Sequence, residues 1–123
     1  MNITVINVIE TVKETKDAQD FSEEILIGWL QEAEATVIDR VLSRYVGFNA
    51  ADYDLSAMGT DTKLIVPKPY SRLYEYYLKA QIDYARDELQ LYHNDLAQYE
   101  AALGDFWKFY NRTHERITSK IRV

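Results

Sequence analysis

The chain has 123 residues, no cysteine and a formal net charge of -6, from 14 basic and 20 acidic side chains. This length predicts a single domain that folds without a disulfide or a structural metal, and the absence of cysteine excludes thiolate catalysis and zinc–thiolate sites. The acidic charge disfavours a general nucleic-acid binder, because such a protein neutralises phosphates with an excess of basic side chains.

No stretch of the chain predicts a membrane segment or a secretion signal. The longest apolar run, from Ile25 to Leu30, is far shorter than the roughly 20 residues that a membrane span needs. The N-terminus has no basic region ahead of its apolar residues, as a secretory signal would have. We therefore expect a soluble protein that is intracellular when it is made and does not contact a membrane.

The first half of the chain predicts two helices. From Thr4 to Lys13, apolar residues recur at helical spacing, although many β-branched side chains leave a strand as the alternative. From Phe21 to Tyr45, apolar residues fall three and four positions apart in one stripe, which predicts a long amphipathic helix. Ser22 is in position to cap its start, and Gly47 is a natural place for it to end.

Residues 47–69 predict a long irregular loop, with a short hairpin as the alternative. They contain two of the four glycines and both prolines, and no apolar period runs through them. Val66 and Lys68 each precede a proline, which favours extended backbone. Loops of this length in compact domains usually have a function.

The second half of the chain predicts helices again, from Pro69 onward. His93, Asn94 and Asp95 favour turns and helix starts, so we expect a bend or a tight turn near Asn94. Along these helices an aromatic and apolar stripe recurs at helical spacing, and we interpret it as a surface for packing and subunit contact. Its members are Tyr70, Leu73, Tyr77, Tyr84, Tyr92, Tyr99, Phe106 and Tyr110. A base-stacking platform is disfavoured, because acidic residues stand between the tyrosines.

No residue pattern predicts an enzyme, a metal site or a cofactor site. Asp52, Asp54 and Asp61 lie in the loop, but their spacing and the missing final glutamate do not fit a calcium-binding loop. The two histidines, His93 and His114, do not stand at a metal-ligand spacing from each other. A small acid–base enzyme stays as an alternative, which a buried carboxylate with a raised pKa in a cleft would support.

The C-terminal residues differ in charge from the rest of the chain. Residues 108–123 contain five basic side chains and only Glu115 as an acid, so they carry +4 while the remainder carries -10. A basic tail on an acidic body can bind an acidic partner or another copy of the chain. We therefore divide the chain into one helical domain, residues 1–114, and a C-terminal tail, residues 115–123.

Three motifs in the second half carry information beyond periodicity. They are V-P-x-P-Y at residues 66–70, L-Y-x-Y-Y-L-x-A-x-I-D-Y at residues 73–84 and F-x-x-x-Y-N-R-T-H at residues 106–114. The segment that contains them resembles the C-terminal half of tailed-phage head–tail connector proteins, the adaptor or head-completion group. Upstream, FSEEILIGWLQEAEATVIDRV is similar to that family's first long helix. The resemblance covers about two-thirds of the chain.

The resemblance implies an α-helical fold but does not fix the loop at residues 47–63 or the tail after His114. Together with the helical periods, the loop and the basic tail described above, it predicts an all-α fold: a small helical bundle with two or three long amphipathic helices, a long irregular loop and an extended basic C-terminal tail. It also implies a structural virion-assembly protein that forms a ring of about twelve copies between the portal protein and the stopper or tail-completion protein. Such a ring extends the DNA channel and closes the head after packaging, while DNA passes through it without specific binding. The protein would be made in the host cytoplasm and reside in the virion, at the head–tail interface.

The tail is then the expected contact arm toward the portal or a neighbouring subunit. Its candidate contact residues are Arg112, Arg116, Ile117, Lys120, Ile121 and Arg122. A different class of function stays open, a cytosolic helical interaction module or assembly chaperone that is not retained in the particle. Stoichiometric presence in mature virions distinguishes these two functions.

Overall fold

The computed structural model describes residues 2–117, which form four α-helices and two short β-strands. In chain order the elements are β1 (Asn2–Thr4), α1 (Val5–Lys16), α2 (Glu23–Arg40), β2 (Lys63–Pro67), α3 (Arg72–Ala85) and α4 (Leu89–Thr113). The prediction of a mostly helical fold is confirmed, while the small sheet corrects its all-α form. Within the described residues, no helix combines the length and the apolar character that crossing a bilayer requires.

The predicted first helix is confirmed as α1, and a short strand precedes it. β1 pairs antiparallel with β2, so the hairpin considered within residues 47–69 is wrong. The backbone N–H of Val5 donates to the carbonyl oxygen of Thr62 at 2.9 Å, and the N–H of Ile6 donates to Thr60 at 3.0 Å. A helix leaves its first N–H groups without intrahelical partners, so these bonds hold the end of the loop against the start of α1.

The predicted central helix and its cap are confirmed in α2. Ser22 Oγ accepts a hydrogen bond from a backbone N–H of the first turn at 3.2 Å, as an N-cap does. The predicted end at Gly47 is wrong, because α2 ends at Arg40 and a short 3₁₀ turn follows. After that turn Tyr45 is buried, and its hydroxyl donates to Asn111 Oδ1 of α4 at 2.9 Å. The helix thus ends where the chain turns toward α4, before the glycine is reached.

The break between α3 and α4 lies at residues 86–88, so the predicted bend near Asn94 is wrong. α4 continues through Asn94 without interruption. Asp87 adopts left-handed backbone with a φ of 59°, and the N–H groups of Asp87 and Glu88 donate to carbonyl oxygens of the last turn of α3, at 3.1 and 2.9 Å. This arrangement is a Schellman motif, which usually places glycine at the left-handed position.

Arg86 fixes the position of this turn. Its guanidinium donates to the carbonyl oxygens of Lys16 and Asp17 at 2.9 and 3.1 Å, where α1 ends. It also pairs with Asp20 Oδ1 at 2.8 Å and lies over the ring of Phe21, 5.5 Å from its centroid. A single side chain therefore satisfies two carbonyls at the end of α1 and ties the α1–α2 connection to the α3–α4 turn.

The four helices and β2 enclose one hydrophobic core. α3 and α4 pack against each other as a hairpin, and α1 and α2 both contact α3. Among the described residues, three polar side chains are buried: Glu34, Ser71 and Asp83. Burying an ionisable group costs free energy unless a partner compensates it, so the two carboxylates call for specific partners.

Candidate functional site

The predicted aromatic and apolar stripe packs α3 against α4, which form a helical hairpin. Six of its eight members form three aromatic pairs. Successive pairs are seven residues apart on each side of the hairpin, and a spacing of seven returns a side chain to nearly the same helix face every two turns. The ring-centroid distances are 6.2 Å for Tyr70 with Phe106, 5.1 Å for Tyr77 with Tyr99 and 5.3 Å for Tyr84 with Tyr92. Tilted aromatic pairs at these distances stabilise packing beyond the burial of their area.

The stripe is buried along the hairpin and exposed at its turn. Three members are buried: Leu73, Tyr99 and Phe106. Four are half-buried: Tyr70, Tyr77, Tyr92 and Tyr110. The Tyr77 hydroxyl donates to Glu32 at 3.0 Å, and burial, followed by this carboxylate, raises the pKa of Tyr77. Tyr84 is 63% exposed and is the one member of the stripe that is exposed to solvent.

The histidines and the loop acids take ordinary structural positions. His93 lies at the start of α4 and His114 directly after its end, where the His114 ring stacks on Tyr110 at a centroid distance of 3.7 Å. In the loop, Asp54 Oδ1 accepts a backbone N–H at 3.2 Å and caps a 3₁₀ turn. No group of three metal-ligating side chains within residues 2–117 is placed to hold an ion.

A buried carboxylate joins α2 to α3 and β2. Glu34 accepts hydrogen bonds from the Tyr74 hydroxyl and from the backbone N–H of Ile65, the latter at 2.8 Å, and the same hydroxyl accepts from the N–H of Val66 at 2.9 Å. Burial raises the pKa of Glu34, and the two hydrogen bonds to its oxygens oppose that rise. The carboxylate thus satisfies backbone groups of β2, whose neighbours Leu64 and Val66 are part of the core.

A second buried carboxylate lies where α1, α3 and α4 meet. The Lys16 ammonium contacts Asp83 at 2.8 Å and Asp95 at 3.1 Å, and the Asp83 side chain is fully buried. Burial, helped by the nearby Asp95 carboxyl and opposed by Lys16, raises the pKa of Asp83 to about 6. Burial lowers the pKa of Lys16, but its hydrogen bonds and charge interactions with both aspartates outweigh this, so its pKa is raised. One cation therefore compensates two carboxyl groups.

Neither buried carboxylate lines the groove between α1 and the start of α3. That groove has a volume of about 970 Å³, and its lining mixes acidic and basic side chains with neither Glu34 nor Asp83 among them. An acid–base enzyme would need a buried carboxylate with a raised pKa in a cleft, whereas the Glu34 and Asp83 carboxyls have raised pKa values but sit between packed elements of the fold. We interpret both as structural.

Each end of the bundle carries exposed charge that is mainly of one sign, although other exposed charged side chains lie between the ends. We call residues 17–25 and 84–91 the acidic end, because they hold six exposed acidic side chains and Arg86 as the one basic side chain. We call residues 44–46 and 108–117 the basic end, because they hold four exposed basic side chains and Glu115 as the one acid. α4 has 25 residues and runs from one end to the other, which separates them by about 37 Å.

The exposed apolar side chains lie at the same two ends. All the large hydrophobic residues that are exposed within residues 2–117 belong to them: Ile25, Tyr84, Leu89 and Leu91 at the acidic end, and Val46 and Ile117 at the basic end. Isolated exposed apolar residues are ordinary on any surface, but their restriction to two charged regions is typical of contact surfaces.

The first residues of the predicted tail pair with the body. The N–H of Val46 donates to the carbonyl oxygen of Glu115 at 2.8 Å, and the N–H of Ile117 donates to that of Arg44 at 2.9 Å, around an antiparallel bridge between Tyr45 and Arg116. Residues 115–117 are therefore held against residues 44–46 instead of extending away. Of the candidate arm, three residues are exposed here: Arg112, Arg116 and Ile117. The other three lie outside the described residues: Lys120, Ile121 and Arg122.

Comparisons with protein families, with curated proteins and with solved structures found no match. The likeness to head–tail connectors therefore rests on the motifs of residues 66–114 and on the helix of residues 21–41.

Two contact networks of the structure were missed by the sequence analysis. Glu34 gave a signal that could have been used, because it stands four residues after the core residue Leu30 and three before Val37, on the apolar face of α2. Asp83 gave a similar signal, because it stands three residues after the buried Ala80, on the same face of α3. The partner Lys16 gave none, because a lysine in the last turn of a helix is explained by the helix dipole alone.

Proposed function

We propose that this chain is a structural protein of a tailed-phage particle, a head–tail connector that forms a ring between the portal protein and the stopper or tail-completion protein. In that position it extends the DNA channel and closes the head after packaging. The proposal is supported by the connector-like motifs of residues 66–114 and by the mostly helical fold that contains them.

The observation that carries the proposal is the pair of contact surfaces at opposite ends of one small bundle. A subunit of a ring contacts its two neighbours through different surfaces, so it needs two exposed apolar regions that do not coincide. The acidic end and the basic end meet this need, since they hold every exposed large hydrophobic side chain of residues 2–117 and lie about 37 Å apart.

The charge and the tyrosines support a channel that DNA passes without binding. The chain has a net charge of -6, and an acidic surface repels phosphates. The rings of Tyr77 and Tyr99 pack on each other, which leaves little of their surface for bases to stack on. The exposed ring of Tyr84 lies at the acidic end, where the surrounding carboxylates repel phosphates.

The test is the mass of the purified protein by light scattering, alone and after mixing with the portal ring from the same genome. We expect it to join the portal in a fixed multiple that matches the portal's own symmetry. A protein that stays unbound at both low and high salt would contradict the connector function.

The residues beyond the described part of the chain offer a second test. Removing residues 118–123 deletes Lys120, Ile121 and Arg122 but keeps the pairing of residues 115–117 with the body. We expect this truncation to weaken the joining of the portal by about tenfold or more, because an interface loses two cations and an apolar side chain, while helical content by circular dichroism is unchanged. Replacing Lys63 and Lys68 by alanine, both exposed and far along the chain from the tail, is the control and should leave binding unchanged. Unaltered portal binding by the truncated chain would remove these residues from the interface.

A cytosolic interaction module or assembly chaperone is the alternative, since charged helical ends also suit transient partners. Quantitative mass spectrometry of purified particles separates the two functions. A connector is present in a fixed ratio to the portal protein, whereas a chaperone is absent from mature particles.

A further inference from the structure

We infer that this chain binds a second copy of itself head to tail, with the acidic end of one copy on the basic end of the next. The inference rests on the proposed function, because it names the surfaces that would join neighbouring subunits of the ring. It can nevertheless be tested on the protein alone.

The apolar residues give the first argument. At the acidic end, Tyr84, Leu89 and Leu91 surround the α3–α4 turn with exposed fractions of 63%, 50% and 43%. At the basic end, Val46 and Ile117 are 57% and 58% exposed on two segments that hydrogen-bond to each other. Burying these apolar side chains removes their surface from water, which favours association. A contact between the acidic end of one copy and the basic end of the next buries the apolar residues of both ends.

The charges give the second argument. Of the six acidic side chains at the acidic end, Asp20 is the one that forms an ion pair within residues 2–117, with Arg86. None of the four basic side chains at the basic end forms an ion pair within the same residues. Six acids therefore face outward around one apolar group and four bases around the other, so the two ends are complementary in charge.

The same charges select the geometry of association. Two acidic ends repel each other, as do two basic ends, so a symmetric dimer through like surfaces is disfavoured. A head-to-tail contact leaves one free end on each copy, and such contacts repeat until they close into a ring or continue as a filament. If a different protein occupies either end instead of a second copy, the test below distinguishes that case.

The experiment is a charge exchange between the two ends. One variant reverses the acidic end with Glu23→Lys, Glu24→Lys and Glu88→Lys, which changes the net charge of that end from -5 to +1. Another reverses the basic end with Arg112→Glu and Arg116→Glu, which changes its net charge from +3 to -1. Each variant alone then carries two ends of the same sign, whereas an equimolar mixture restores opposite signs at every contact. We measure the mass against concentration by light scattering, at low and at high salt.

We expect the unaltered protein to gain mass with concentration, and to lose that gain at high salt because exposed charges are screened. Each reversed variant should dissociate at a concentration at least about tenfold higher, and the mixture should recover the association of the unaltered protein. A third variant, Leu89→Ser with Leu91→Ser, changes no charge and should also weaken association, since it removes exposed apolar surface from the acidic end.

Matched controls make the same charge changes away from both ends. Glu10→Lys, Glu32→Lys and Asp61→Lys together match the acidic-end variant, and Lys63→Glu with Lys68→Glu matches the basic-end variant; all five residues are exposed. The controls should associate like the unaltered protein, and circular dichroism should give the same helical content for every variant.

Three outcomes would overturn the inference. They are an unaltered protein that stays monomeric at every concentration, reversed variants that associate normally, and a mixture that does not recover. If reversed variants associate normally but no longer join the portal ring, the end belongs to the portal and the proposed function stands. If the chain associates as inferred but never joins a portal, the head-to-tail contact stands and the connector function fails.

Discussion

Replacing Lys16 by methionine is expected to lower the free energy of unfolding by about 3 kcal/mol at neutral pH. The Lys16 ammonium lies between Asp83 and Asp95, at 2.8 and 3.1 Å, and the Asp83 side chain is fully buried. Methionine has a similar length but no charge, so the substitution leaves two neighbouring carboxyl groups without their cation. Urea unfolding followed by circular dichroism measures the loss.

This loss should become smaller as the pH falls. Burial raises the pKa of Asp83 from 3.8 to about 6 in the folded protein. Because the folded value lies above the unfolded one, the contribution of Asp83 to stability is complete below about pH 3.8 and is lost as the pH rises through about 6. A protonated Asp83 needs no cation, so near pH 4 we expect Lys16→Met to cost only about 1 kcal/mol.

Lys13→Met, one turn earlier on α1, is the matched control, because it removes the same charge from the same helix at a half-buried position. It should change the free energy of unfolding by no more than about 0.5 kcal/mol at either pH. Equal losses for the two variants at neutral pH would show that the Lys16 cluster does not stabilise the fold. A loss for Lys16→Met that grows toward acidic pH would contradict the raised pKa of Asp83.

Replacing Glu34 by alanine is the second change with a large expected effect, a loss of about 3 kcal/mol in the free energy of unfolding. The Glu34 carboxylate accepts from the Tyr74 hydroxyl and from the N–H of Ile65. Alanine leaves both donors in the core without a partner and also opens a cavity. Because Glu34 anchors β2, its removal should accelerate hydrogen exchange at the amides of Ile65 and Val66 more than exchange in α4.

Two further substitutions give this prediction its controls. Glu32→Ala removes an exposed carboxylate two positions earlier, which accepts from Tyr77 at the surface, and it should cost no more than about 0.5 kcal/mol. Glu34→Gln keeps one carbonyl oxygen as an acceptor but loses the other, so an intermediate loss of about 1 to 2 kcal/mol is expected. If Glu34→Ala were as mild as Glu32→Ala, the carboxylate would not anchor β2.

The two buried carboxylates bear on function through the ends that they support. The Lys16 cluster joins α1, α3 and α4 within one turn of the acidic end, since Asp83 directly precedes Tyr84. The network around Glu34 holds β2 and, through β1, the start of the chain. Losing the Lys16 cluster should therefore disturb head-to-tail association at neutral pH, whereas losing Glu34 should act mainly on stability.

Local sequence patterns were enough to predict most of the helices. The apolar stripe of residues 21–45 and the capping position of Ser22 predicted α2, because the spacing of three and four residues and a side-chain cap are properties of one helix alone. The aromatic and apolar residues that recur at helical spacing between Tyr70 and Tyr110 predicted a packing stripe for the same reason. Which rings of α3 pair with which rings of α4 could not be predicted, because the pairing depends on where the chain turns between the two helices.

The turns and the buried polar contacts were decided by contacts between distant parts of the chain. The chain turns at residues 86–88 and not near Asn94 because Arg86 binds the end of α1 and Asp87 accepts left-handed backbone without a glycine. The strand at residues 63–67 pairs with the first residues of the chain because the open N–H groups of α1 hold the loop there. The sequence by itself determined the helical periods, the cap of α2 and the excess of acid, since these depend on neighbouring residues. Only the tertiary structure decided that one end of the bundle is mainly acidic and the other mainly basic, since this depends on how four helices fold back on one another.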